Sequence, residues 1–169
     1  ETRLLGPSLR VSALGLGCMG MSQAYGVPDD EESTRTLELA LARGITFFDT
    51  ADVYGAGRNE SLIAPILAPH RQSIVLATKC GLRAGAGGAP IEVDGSPSWI
   101  TSACNASLAR LGTDVIDLYY LHRVDPKVSI EESVGAMADL VAAAAHHEPV
   151  HAPVAHVGAL AEVDIADGV

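Results

Sequence analysis

Asp49, Tyr54, Lys79 and His122 are the residues of this 169-residue chain whose types and placement could do chemistry together. Asp49 ends the apolar run Ile45-Thr46-Phe47-Phe48, and Tyr54 follows in the next loop. Lys79 ends the run Ser73-Ile74-Val75-Leu76-Ala77-Thr78, and His122 ends Val115-Ile116-Asp117-Leu118-Tyr119-Tyr120-Leu121. A tyrosine phenol ordinarily titrates at about 10, too high for easy proton transfer at neutral pH. A neighbouring ammonium stabilises the phenolate and lowers that value. A buried lysine tends to lose its own charge, so a carboxylate is needed beside it, and Asp49 can hold Lys79 in this way. His122 can donate to the oxygen of a bound carbonyl and orient it. The set suits protonation of a carbonyl oxygen while hydride reaches the carbon. No side chain supplies hydride, so a nicotinamide cofactor must.

Each residue alone has a plainer reading: a turn-forming aspartate, a rim tyrosine, a structural histidine. Together they are harder to dismiss, because three successive strands each end in a different ionisable group. The elements between them explain how they could meet. Arg3 to Leu14 reads as a small hairpin turning at Gly6-Pro7-Ser8. Leu14-Gly15-Leu16-Gly17-Cys18-Met19-Gly20-Met21 reads as a tightly packed first strand; its glycines lead into a polar loop with Pro28, so they are not a dinucleotide fingerprint.

Asp29 or Asp30 can cap a first helix that ends at Arg43-Gly44. Asn59 can cap a second, Glu60 to Leu67, before Pro69. After the Lys79 strand a long Gly/Ala/Pro loop, Gly81 to Pro97, leads to a third helix, begun by Ser98 and closed by Gly112. The His122 strand is followed by a loop with Pro126 and a fourth helix from Ser129 to about Ala145, whose Ser129-Ile130-Glu131-Glu132 start matches a capping box. Strands and helices alternate, which predicts an α/β fold: a parallel sheet with right-handed crossovers, of the (β/α) TIM-barrel type. In such a barrel the C-terminal strand ends surround one pocket, and all four residues lie there.

Composition bounds the partners. Hydrophobic residues make up 48% of the chain and the mean hydropathy is +0.24, as in an apolar globular domain, yet no apolar run is long enough to span a bilayer. Glu1-Thr2-Arg3-Leu4 lacks the start of a secretion signal, and the three cysteines (Cys18, Cys80, Cys104) share no metal-ligand spacing. A reduced, cytoplasmic protein is expected. A net charge of −10 disfavours nucleic acid and membrane surfaces as partners. From Ala142 the periodicity is lost. Four of the six histidines lie between His146 and His156, without a helical pair and a placed carboxylate, so no metal site is expected. Val154 to Gly158 could form a fifth strand.

Gly44-Ile45-Thr46-Phe47-Phe48-Asp49-Thr50-Ala51-Asp52-Val53-Tyr54-Gly55 with Asn59-Glu60 resembles the first signature of the aldo-keto reductases. Ala77-Thr78-Lys79 is similar to the family's lysine strand, and Arg110 to Pro126 to its histidine strand. Leu14-Gly15-Leu16-Gly17-Cys18-Met19-Gly20-Met21-Ser22 points to the bacterial and plant branch. The resemblance implies that Tyr54 is the general acid, that Lys79 tunes it, that Asp49 holds Lys79 and that His122 orients the carbonyl of an aldehyde or ketone. It also implies an eight-stranded barrel and NADPH as cofactor, with Gly17, Met19 and Asp49 as its neighbours in this half.

The resemblance covers roughly residues 3–141. The chain is therefore expected to be the N-terminal half of such a barrel, four or five βα units of eight over 1–141, followed by a divergent tail over 142–169. Half a barrel leaves strand edges and an apolar face uncovered, so a homodimer that covers them is expected. The rival reading is a non-catalytic scaffold or oligomerisation module without a complete cofactor site. A hydrolase is a more distant third, because no nucleophilic serine or cysteine lies beside a matched base.

Overall fold

The computed structural model describes residues 1–85, 90–145 and 157–159. The chain opens with an antiparallel hairpin of β1 (Thr2–Leu5) and β2 (Leu9–Ser12). β3 is short, Leu16–Gly17, and a single 3-10 turn, Met19–Met21, takes over where a longer strand was expected. Just before β3 the backbone runs close to the next strand: a Cβ at Gly15 would lie 2.7 Å from the Phe47 ring. α1 (Asp30–Ala42) is capped by Asp29, whose side chain accepts from the Glu32 amide, and three acids occupy its first turn where the helix dipole favours them. β4 (Phe47–Asp49) leads through the Tyr54 loop to α2 (Arg58–Leu67).

Asn59 does not cap α2. Gly57 holds the cap position, and Asn59 lies inside the first turn, wholly buried. β5 (Val75–Cys80) is buried along its whole length, as a central parallel strand should be. The stretch expected to be an open loop after it contains a second small hairpin, β6 (Leu82–Arg83) with β7 (Glu92–Val93). α3 (Pro97–Leu111) is capped by Ser96 rather than Ser98, with Pro97 in the first turn, where its missing N–H is not needed. β8 (Leu118–Leu121) precedes α4 (Ile130–Ala145). Ser129 and Glu132 form the reciprocal capping box, each backbone amide donating to the other's side chain at 3.2 Å. β9 (Val157–Ala159) falls slightly later than the 154–158 expectation; the histidines from His146 to His156 lie outside the described residues.

The strands β3-β4-β5-β8-β9 form one parallel sheet in that order. Sequential strands are neighbours and each crossover carries a helix, which is the start of a barrel wall rather than a doubly wound sheet. Alternation along the strands sorts the residues. Phe48, Leu76 and Ile63 join Leu37 and Leu67 in a core beneath α1 and α2, while Tyr119 and Leu121 pack with Ile100, Cys104 and Met137 beneath α3 and α4. The residues between them, Asp49, Lys79 and Tyr120, belong to the opposite, inner face. No helix among the described residues is long and apolar enough to cross a membrane.

One ion pair, wholly buried at its acidic end, ties the helical layer to the sheet. Glu60 on α2 has a side chain with no exposure, accepts from Thr78 at 2.6 Å and from Arg110 Nε on α3 at 2.6 Å. Removing one member of a buried pair leaves the other unpaired, a heavier loss than removing both. Arg110→Met is expected to destabilise the chain by about 3 kcal/mol in urea unfolding. Adding Glu60→Gln should recover much of that loss; a double variant weaker than the single one would contradict the pairing.

Candidate active site

β4 and β5 run parallel with Asp49 opposite Ala77, which places Lys79 one inward position beyond Asp49 on the neighbouring strand. The Lys79 side chain is 5% exposed and its ammonium donates to Asp49 Oδ1 at 2.5 Å, to the Thr50 carbonyl at 2.8 Å and to Tyr54 Oη at 3.2 Å. Three oxygens thus take the three N–H bonds of the buried ammonium. Thr50 contributes only its backbone carbonyl to this shell, and no sequence pattern signals that.

Tyr54 is buried at the start of a tight 3-10 turn, Tyr54–Gly57, in which Gly55, Ala56 and Gly57 all have positive φ. Gly57 is needed twice over. Its φ of 89° favours glycine, and a Cβ there would lie 2.8 Å from Arg110 Cδ. The clasp between Arg110 and Glu60 therefore presses directly on the turn that carries Tyr54. Gln23 holds the turn from the other side, its Oε1 accepting from the Gly55 amide at 2.8 Å. His122 follows β8, with its amide donating to the Cys80 carbonyl at 2.7 Å, and its ring meets the Tyr54 ring edge-on with centroids 5.8 Å apart. The four residues singled out from sequence are thus brought into one cluster. Gly17 lies opposite Asp49 in the β3–β4 register, and Met19 packs against the Ala51, Val53, Tyr54 and Leu82 cluster.

Electrostatics give the groups different roles. Burial, then the Lys79 ammonium and Arg123, push His122 down to about 4, so the imidazole is neutral at pH 7. A neutral imidazole has one N–H to donate and one lone pair to accept with. Its Nδ1 is buried without a protein partner. Burial lifts the Asp49 carboxyl above the ordinary carboxylate value, and Lys79 pulls it back. Asp52, two residues before Tyr54, was not singled out from sequence. Burial and then the nearby Glu60 raise its carboxyl to about 7. Chemically, the cluster presents a phenol beside a fixed ammonium and a neutral imidazole beside the phenol. That arrangement can protonate an oxygen bound between the two rings.

The aldo/keto reductase family model matches residues 13–143. The protein of Glycine max named probable aldo-keto reductase 1 is 47% identical over 133 residues, which are 78% of this chain and 38% of that relative. An aldo-keto reductase from the fungus Strobilurus tenacellus is 45% identical over 148 residues, 83% of this chain and 41% of that relative. Among solved structures, an aldo-keto reductase of Bacillus halodurans in its holo form superposes with a TM-score of 0.80 at 35% identity, over 95% of this chain and 50% of that one. The glycerol dehydrogenase of Gluconobacter oxydans superposes with a TM-score of 0.79 at 30% identity, over 94% of this chain and 47% of that one. The chain thus spans about two fifths of the length of these curated relatives and about half of these solved structures.

His122 and Asp52 act in opposite directions on stability between pH 4 and 7. His122 titrates at about 4 when folded against an ordinary 6.5, so the unfolded chain holds more protons between those values. Its contribution is present above about 6.5 and is lost as the pH falls towards 4. Asp52 titrates at about 7 when folded against an ordinary 3.8, so its contribution is present at low pH and is lost as the pH rises to about 7. Urea unfolding between pH 4 and 7 separates them. Relative to the parent chain, Asp52→Asn should make stability rise more steeply with pH, and His122→Asn should make it fall. Unchanged slopes in both variants would contradict these assignments.

Proposed function

Because the chain belongs to the aldo/keto reductase family, we propose that it carries the proton-delivering half of a carbonyl reductase acting on an aldehyde or ketone. The observation that carries this reading is the Lys79 ammonium lying within hydrogen-bonding distance of both Asp49 and the Tyr54 phenol. In the proposal Tyr54 gives its proton to the carbonyl oxygen and Lys79 stabilises the phenolate left behind. Asp49 keeps Lys79 positive. His122, held neutral, donates its N–H to the same oxygen and fixes the carbonyl's direction; being neutral, it leaves the phenol as the proton source.

NADPH, when bound, supplies the hydride. The residues present fit a flat ring beside Asp49. Gly17 faces Asp49 on the adjacent strand, and a Cβ built on Gly17 meets no atom within 4 Å, so that floor is clear. Gly17, Met19 and Asp49 are the residues that would hold the cofactor. A cytoplasmic setting belongs to the same proposal and is supported by three free, buried cysteines. So does a homodimer covering β3 and β9, the outer strands of the described sheet.

Binding is followed by the fluorescence of NADPH itself together with the emission of Trp99, the single tryptophan of the chain. Titration with NADPH is expected to give saturable quenching in the micromolar range, about −8 kcal/mol. Addition of a nitrobenzaldehyde should then consume NADPH absorbance. Tyr54→Phe should cut turnover by about 10²–10⁴-fold, with cofactor affinity and folding kept. Undiminished turnover in that variant would overturn the role of Tyr54. No binding at millimolar NADPH would leave the tetrad without a hydride donor and favour the scaffold reading.

A further inference from the structure

Asn59 takes no part in the tetrad and does not cap its helix, yet its carboxamide is wholly buried and bonded on both ends. Its Oδ1 accepts from Thr50 Oγ1 at 2.6 Å, and its Nδ2 donates to the Cys18 carbonyl and to Ser22 Oγ, each at 2.8 Å. The Cys18 carbonyl can only accept, which fixes the amide nitrogen on that side. One side chain from the first turn of α2 thereby joins the exit of β3 to the exit of β4. Both exits lead into the site. The Thr50 carbonyl receives the Lys79 ammonium at 2.8 Å, and the Cys18 amide donates to the Asp49 carbonyl at 2.8 Å.

We propose that Asn59 is a positioning residue, a buried carboxamide that sets where Thr50 and the β3 exit lie and so holds Lys79 at its distances from Asp49 and Tyr54. Only a group that accepts on one side and donates twice on the other fills this place. An aspartate cannot donate to Cys18. A leucine leaves the Thr50 hydroxyl and the Cys18 carbonyl unpaired in the interior. Its bearing on turnover rests on the carbonyl-reductase reading, whereas its bearing on geometry does not.

Amide hydrogen exchange on the 169-residue chain tests the geometric claim without any turnover. In Asn59→Asp, exchange at the Cys18, Thr50, Tyr54 and Gly55 amides is expected to rise at least about tenfold, a local opening. The Ser107 and Met137 amides of α3 and α4 should keep their parent rates. Thr50→Val, which replaces the hydroxyl with a methyl, should reproduce the pattern, and Thr50→Ser should restore it; this pair keeps the test open if Asn59→Asp does not fold. In a chain that turns over, Asn59→Asp should lower kcat about tenfold or more. Uniformly faster exchange at every site would reduce Asn59 to a general stability residue and overturn the proposal, as would unchanged exchange. A parent chain without turnover would count against the carbonyl-reductase reading alone, because the exchange pattern would still stand or fall by itself.

Discussion

The site depends on one buried positive charge. An ammonium that is almost out of contact with water is unfavourable unless each N–H finds an oxygen. Lys79 finds three, from a carboxylate, a backbone carbonyl and a phenol. All three acceptors come from the single segment 49–54, so satisfying the cation fixes the path of the chain from the end of β4 to Tyr54. The same contacts that stabilise the charge place the phenol beside it. Stability and chemistry share one geometry here.

Strand alternation keeps that geometry distinct from the rest of β5. Lys79 faces inward, and its neighbour Thr78 faces outward to donate to Glu60. A slip of one residue would exchange them, putting an ammonium among helix side chains and a hydroxyl in the site. Glu60 and Arg110 therefore act as a register lock on the outer face for what Lys79 and Asp49 do on the inner face. Arg110 also packs against Gly57, so the lock reaches the turn that presents Tyr54.

The parallel order of the sheet and the four ionisable residues were readable from the sequence because each rests on a local signal. Apolar runs ended in a polar residue, and the Ser129 capping box and the hairpin turn at Gly6-Pro7-Ser8 carried their own chemistry. What was missed is what depends on packing between distant segments. Asn59 has the residue type of a cap, and only the contact with Cys18 and Thr50 reveals its use. The partner of Glu60 is fifty positions away, with nothing in either neighbourhood to announce it. Ser96 and Ser98 are equally good caps by type, and Pro97 between them decides in favour of the first. The β6–β7 pair is too short and too glycine-bordered to stand out from a loop.

The central claim is that this stretch of chain by itself assembles Tyr54 and His122, 68 positions apart, around the Lys79 charge. Proton NOE spectroscopy on the folded 169-residue chain measures this most directly. Ring-to-ring cross-peaks between Tyr54 and His122 are the expected result, since their ring centroids are 5.8 Å apart and edge-on. A well-dispersed spectrum in which both rings are assigned and no such cross-peaks occur would contradict the claim.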